Sequence, residues 1–475
     1  MCSNTGKALS RRSFLKSAAL GIGLLAATPL LQACAQGAAP SPTQAPAQPA
    51  EPTKAVAAEP TQVAPAETPK AAASGEPLVV WMSDDWSGQA DKFAQYKKMV
   101  QEVSAEIGIP VDYRPVDWTT LGQQTPIIMA SDKYTTDVLD LGVSDIVNYA
   151  RQGKLHSLDD FLSPDFLKQV EPPLLEHGKY QGKLYGLLVW PSWVIGFYNK
   201  DLYQKAGLDP EKPPATLAEM EEHIKKLQSV SKLAYLDVWT DWHWSRVFTQ
   251  VVTAKDGRWF EGGTKEDPDH VTWKFTSPQC KEAATWMKHM YQDKLLAPDS
   301  LNLSQQDVAD RFALGDAGIT FNWEGFAAIL EKPESSKIIG KVGAFAFPGD
   351  QPGKGVGQSG FELMSVPKTA KNPEGAGKFI QAIESAKIQK TRALTQYYNP
   401  IFGDLYQDPE VQKKLFYWKA IEEIIPRTIP VNFHPKAGEV QDYIVGKLQE
   451  AVMGQTEVDA MLADVQQFAE SKTKG

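Results

Sequence analysis

Cysteine is scarce: the 475 residues hold three, Cys2, Cys34 and Cys280. Only Cys280 lies beyond residue 76, so the globular part can form neither an internal disulfide nor a cysteine-based metal site. Histidine is scarce too, seven in all, with no H-E-x-x-H or other ligand spacing, and no G-x-S-x-G elbow occurs. No metal and no cofactor is expected. Basic runs are missing beyond Arg11-Arg12, and a net charge of −9 disfavours non-specific nucleic-acid binding. Gly355-Val356-Gly357-Gln358-Ser359-Gly360 fits G-x-G-x-x-G in letters only. A dinucleotide fingerprint needs a strand before and a helix after, whereas this stretch comes after a Gly/Pro loop and precedes a strand-like run. Gly377-Lys378 is followed by Phe379 and lacks the preceding P-loop glycine, so no nucleotide site is indicated. Carboxylate pairs for glycoside hydrolysis meet only in the fold, and sequence leaves them open.

A long membrane-spanning run is also lacking. The apolar segment Ala18 to Leu31 has 14 residues, includes Pro29, and is too short to cross a bilayer comfortably. Ser10-Arg11-Arg12-Ser13-Phe14-Leu15-Lys16 before it resembles a twin-arginine export signal, and Leu31-Gln32-Ala33-Cys34 after it resembles a lipobox. Residues 1–33 therefore read as a signal peptide and Cys34 as the lipidated first residue; the alternative is an uncleaved anchor. Either way the bulk is extracytoplasmic and tethered to the cell membrane. Residues 34–76 are Ala/Pro-rich and cannot bury enough apolar surface to offset their ordering entropy. They are expected to form a disordered tether with a reach of up to about 130 Å.

From residue 77 onward the chain reads as globular, with 42% hydrophobic and 10% aromatic residues over the whole sequence, and is long enough for two substantial domains. Leu78–Met82, Val111–Arg114 and Val138–Leu141 read as strands. They alternate with helices at Phe93–Ile107, Leu121–Met129 and Ser144–Gln152, which implies an α/β fold with a largely parallel sheet covered on both faces. Ligands in such sheets sit at the carboxyl ends of strands, here Asp84-Asp85-Trp86, Asp117-Trp118 and Ser144-Asp145. Leu184 to Tyr198 is a run of uncharged residues broken by Pro191, which rules out one uninterrupted central strand. Two short strands, Leu184–Val189 and Val194–Tyr198, are expected, joined at Trp190–Trp193 as a hinge between lobes. Thr216–Glu219 is a capping box opening another helix. Further helices are expected at Ser277–Leu296 and Asn372–Ile383, strands at Gly318–Trp323, Val342–Phe347 and Phe361–Val366, and two helices at the end.

Tyr180-Gln181-Gly182-Lys183-Leu184-Tyr185-Gly186, Tyr198-Asn199-Lys200-Asp201-Leu202, Ala206-Gly207-Leu208 and Pro213-Pro214-Ala215-Thr216 stand in one order. They resemble a signature of the bacterial extracellular solute-binding proteins of the maltose-binding-protein-like kind. Weaker echoes are Gly153-Lys154-Leu155, Gly318-Ile319-Thr320 and Val366-Pro367-Lys368. The resemblance implies a two-lobed periplasmic-binding-protein clamshell, each lobe a mostly parallel sheet flanked by helices, with three interlobe crossings. By that likeness the N-lobe is 77–188 with 362–404 and the C-lobe 189–361 with 405–475. It also implies a monomeric, non-enzymatic component of an ABC importer for sugar transport, handing its ligand to permease subunits served by a separate ATPase.

Sugars present C–H faces that stack on aromatic rings and hydroxyls that bond to polar side chains. The candidate ligand-binding aromatics are Trp86, Trp118, Trp193, Trp239, Trp242, Trp244, Trp323 and Tyr398. Of these, Trp323, Trp242 and Trp244 match places where the family puts ligand aromatics, and Trp193 is expected to face the cleft. Asp85, Asp145, Asp241 and Glu324 are the candidate hydroxyl binders, and Arg427, in a later crossing segment, is a further candidate ligand residue. The ligand reading is a carbohydrate, and an oligosaccharide in particular. Aromatics with Asp also suit a cation such as a polyamine, and Tyr397-Tyr398 permits a ferric-ion reading. An exported glycosidase is the alternative from another class.

Overall fold

The computed structural model describes residues 75–83 and 90–473. The expected signal peptide, Cys34, nearly all of the tether, Asp85 and Trp86 lie outside the described residues. The first elements alternate as the periodicity predicts: β1 (Leu78–Ser83), α1 (Ala90–Ile107), β2 (Val111–Val116), α2 (Trp118–Ala130), β3 (Val138–Gly142) and α3 (Val143–Arg151). Asp117 caps α2, its Oδ1 accepting the Thr120 N–H at 2.9 Å. β1 pairs in parallel with both β2 and β3.

Past this unit comes β4 (Leu187–Asn199), a single strand of 13 residues rather than the expected two. Pro191 lies inside it because its missing N–H costs the ladder nothing. The N and O of one strand residue point to the same edge. The Pro191 carbonyl accepts from Asn399 Nδ2 at 3.1 Å, on the edge away from the partner strand. The chain continues with α4 (Leu217–Leu227), β5 (Leu233–Tyr235), α5 (His243–Ala254), the hairpin β6 (Phe260–Gly262) and β7 (Val271–Trp273), and α6 (Pro278–Gln292). Next are β8 (Ala317–Trp323), β9 (Val342–Phe345), β10 (Ser359–Ser365), α7 (Pro373–Ile383), α8 (Ala386–Gln396), α9 (Ala437–Val452) and α10 (Val458–Thr473).

One mixed sheet runs through the molecule in the order β2-β1-β3-β10-β4-β8-β5, with β9 also paired to β4. β10 is antiparallel to β3 and β4, while β8 and β9 are antiparallel to β4. Parallel pairing is confined to the two flanks, β2-β1-β3 and β8-β5. Two buried clusters lie on this sheet. The first gathers Val80, Leu139, Leu188, Leu363 and Phe379 and extends to Phe312 and Ile421. The second gathers Met220, Ile224, Trp244, Phe248, Met287, Phe321 and Leu448. β4 serves both: Leu187, Leu188, Val189, Trp190 and Trp193 belong to the first, and beyond that Ile195 and Phe197 stay with the first while Val194 and Tyr198 join the second. Where β9 crosses β4, Gly343 lets the Tyr198 ring lie against the backbone; a Cβ there would stand 2.1 Å from Tyr198 Cζ. Among the described residues no helix is long and apolar enough to cross a membrane.

Candidate ligand site

The amino end of α3 faces α5, the segment 429–435 and the start of α9 across a cavity of about 360 Å³. Ser144 and Asn148, one helical turn apart on α3, form one wall. Trp242, Ser245, Arg246 and Thr249 come from α5 and the turn before it, joined by Trp259, Gln358, Asn432, His434 and Gln441.

Local geometry decides which aromatic reaches this space. Asp241 takes a left-handed conformation at φ 45°, and the turn closes with the His243 N–H donating to the Thr240 carbonyl at 3.0 Å. The Trp242 ring is thereby turned outward, 39% exposed and stacked on His243 at 4.1 Å. Trp239 and Trp244, expected at the ligand face, are core residues, 0% and 1% exposed and edge-to-face at 5.3 Å. An indole on the inner face of an amphipathic helix packs with Val247 and Phe248, not with solute. Trp323 stands 6.4 Å from Trp242, its ring lying over Gly360 of β10.

The other expected residues fall in three groups. Trp118, 42% exposed, and Asp145 flank Gly142 at the carboxyl ends of β2 and β3, with Asp145 Oδ2 3.6 Å from where a Cβ of Gly142 would be. Burial raises the Asp145 carboxyl above its ordinary range, and the Gly142 backbone opposes that by hydrogen bonding. Trp193 is buried, not open to the first cavity. Its Nε1 donates to Thr428 Oγ1 at 3.2 Å, and its ring packs on Phe361 beside a second cavity of about 420 Å³. Successive strand residues point to opposite faces, so Ser192 and Trp193 cannot both face one cavity. Glu324, Tyr398 and Arg427 are held by protein partners. Glu324 is buried among Ser192, Trp193 and Asn399, and Tyr398 packs on Trp190 at 5.1 Å and under the Arg392 guanidinium at 5.2 Å. Arg427 Nη2 bonds Asp256 Oδ1 at 2.8 Å and the Thr253 carbonyl.

The cavity wall is polar but electrically quiet. Its guanidinium, Arg246, is neutralised in place: Nη2 donates to Asp237 Oδ1 and Nη1 to Gln250 Oε1, both at 2.8 Å and buried. Burial lowers the His434 imidazole, leaving it neutral at pH 7. What remains is hydroxyls, carboxamides and indoles. Asn432 Nδ2 and Trp259 Nε1 are buried with no partner among the described residues, two donors awaiting an acceptor. Sequence reasoning misses Ser144 as a wall residue in its own right, and also Asn148, Trp259, Gln358, Asn432 and His434. A signal is available at Asn432-Phe433-His434-Pro435, a polar-aromatic turn just after Pro430. Trp259 carries none, since its role depends on stacking with Trp273 at 5.9 Å. Among the described residues no group of three His, Cys, Asp or Glu could hold a metal ion.

The sequence profile of the bacterial extracellular solute-binding proteins matches residues 86–390. A Brucella abortus chain is 23% identical over 383 residues, covering 77% of this chain and 86% of that one. The sn-glycerol-3-phosphate-binding periplasmic protein of Pectobacterium atrosepticum is 28% identical over 241 residues, about half of each chain. In fold, maltose-bound MalE3 of T. maritima is similar with a TM-score of 0.72 at 19% identity, covering 83% of this chain and 99% of that one. An ABC-transporter solute-binding protein of Agrobacterium radiobacter K84 in complex with ribitol has a TM-score of 0.69 at 21% identity, covering 84% and 100%. The curled mixed sheet with flanking helices is thus the periplasmic-binding-protein clamshell. The chain belongs to the bacterial extracellular solute-binding protein family and is a binding protein, not an enzyme.

Proposed function

We propose that this chain is the membrane-tethered substrate-binding component of an ABC importer, and that its ligand is a neutral carbohydrate, an oligosaccharide in particular. One observation carries the reading: the cavity between α3, α5 and α9 is walled by uncharged hydroxyls, amides and indoles, with its one guanidinium already neutralised. Such a wall suits hydroxyls and C–H faces. Among the described residues its lining holds no free cation for a phosphate and no carboxylate for a polyamine. Solved relatives of this fold hold maltose, ribitol and D-mannitol, which agrees with a polyhydroxylated ligand.

On this reading Trp242, Trp259 and Trp323 stack on the ligand, while Ser144, Asn148 and Asn432 bond its hydroxyls. Trp118 and Asp145 lie at the rim. Ligand bridging the lobes 77–188 with 362–404 and 189–361 with 405–475 stabilises closure through contacts that the open form lacks. The chain is anchored through a lipid on Cys34 and presents the closed form to permease subunits. A thermal-shift and tryptophan-fluorescence screen of the purified chain against sugars, polyols, glycerol phosphate and polyamines tests this. A sugar at a hundred times its dissociation constant should add about 2.7 kcal/mol. A response confined to polyamines or to the phosphate ester overturns the carbohydrate reading, and a sugar recovered cleaved overturns the binding-only reading.

A further inference from the structure

Glu324, a candidate hydroxyl binder by sequence, is 1% exposed and turned into the junction of the chain's passages. Its Oε2 accepts from Ser192 Oγ and from the Trp193 N–H, each at 2.8 Å. Its Oε1 accepts from Asn399 Nδ2 at 2.9 Å, and the same Nδ2 reaches the Pro191 carbonyl at 3.1 Å. One carboxylate thus gathers the middle of β4, the segment after α8, and the residue that succeeds Trp323 at the end of β8. Trp323 in turn lies over Gly360 of β10, so the third strand of the junction is held by the neighbouring ring.

A carboxylate only accepts, with room for about four hydrogen bonds, and Ser192 Oγ, the Trp193 N–H and Asn399 Nδ2 all donate. No neutral side chain of the same shape can do this. A carboxamide at 324 turns one acceptor into an NH₂ group, which must then face a donor. Hydrogen bonds to a charged acceptor are also about twice as strong as neutral ones. The geometry points to Glu324 as the positioning residue of the hinge. It fixes the first and last passages in one arrangement and joins that arrangement to the backbone of Trp323, so that the resting angle between the lobes depends on it. This rests on the clamshell reading of the lobes but not on the identity of the ligand.

The test is made without ligand, so that its failure is separable from failure of the sugar screen. Spin labels placed at Lys98→Cys on α1 and Glu282→Cys on α6, with Cys2 and Cys34 replaced by serine, report the interlobe distance by double electron–electron resonance. Amide hydrogen exchange reports Trp193. Glu324→Gln is expected to broaden or shift the distance distribution and to speed exchange at Trp193 about tenfold, as loss of a charge-assisted hydrogen bond implies. Ser192→Ala removes one donor only and is expected to give a smaller change of the same sign; it reads the hinge if Glu324→Gln does not fold. A lowered melting temperature with an unchanged distance distribution in both variants would mean simple packing and overturns the proposal.

Discussion

Gly360 has no side chain because Trp323 occupies its place: a Cβ there would stand 2.7 Å from Trp323 Cη2. The backbone itself would tolerate alanine, since Gly360 is not in the left-handed region. Gly360→Ala should therefore displace the indole and weaken ligand binding with little loss of fold. Unchanged affinity in a fluorescence titration would remove Trp323 from the site. Trp242→Ala and Trp259→Ala should each weaken binding by about threefold to tenfold from lost stacking alone. Trp239→Ala should instead destabilise the body by about 3–5 kcal/mol, as a buried indole does. The sequence displays Trp239, Trp242 and Trp244 alike. Only the left-handed turn at Asp241, which no local pattern announces, sorts the exposed ring from the buried ones. Acid should act through His177 and His243, which burial pushes down to about 4 and about 3. The unfolded chain takes up protons below about pH 6.5 that the folded chain refuses, so stability falls as pH drops below that point. By pH 5 each imidazole should cost up to about 2 kcal/mol; urea melts at pH 7 and pH 5 check this, and replacing either His with Gln should flatten the difference.

At the scale of elements, β4 separates what can be read from what cannot. The flanking strands and helices from Leu78 to Arg151 are legible because each carries its own period and its own stop signal. The terminal helices and the N-cap at Thr216, whose Oγ1 accepts the Glu219 N–H at 3.1 Å, are legible for the same reason, although the expected box does not close: Glu219 Oε2 accepts from the Ala215 N–H at 2.7 Å and not from Thr216. β4 reads as two strands in sequence because Pro191 is incompatible with a ladder on both edges. Here only one edge is a ladder, and the other ends on Asn399. The antiparallel insertion of β10 between β3 and β4 is likewise invisible, since pairing direction is set by partners far along the chain. Pro191→Ala should consequently change stability by no more than about 1 kcal/mol. Gly343→Ala, which drives a methyl group into the Tyr198 ring, should cost about 1–3 kcal/mol or more. Denaturant unfolding of the two variants decides, and a reversed order would refute the pairing described.

For the molecule as a whole, the two halves share one sheet, so a change of angle between them must be absorbed near β4 and β10. The register of that pair shifts between Glu362 and Leu363, which is where bending is cheapest. Ligand binding should lower the radius of gyration in small-angle scattering; a response in thermal shift without any such contraction would leave a binding protein that does not close. Fold class is legible from ordered motifs spread along the chain, whereas the cavity wall is not, because Ser144, Asn148 and Asn432 acquire meaning only when α3 meets 429–435.

The central position of β4 also sets a timetable. Its 13 residues are almost wholly buried, yet the strands that cover it span Ala317 to Ser365. At ribosomal speeds β4 is made roughly 8 to 33 s before its last partner is complete. Until β8 begins at Ala317, roughly 6 to 24 s after β4 is made, this apolar strand has no native strand to pair with. A newborn chain of this protein should therefore be prone to association first and become a binding protein only afterwards.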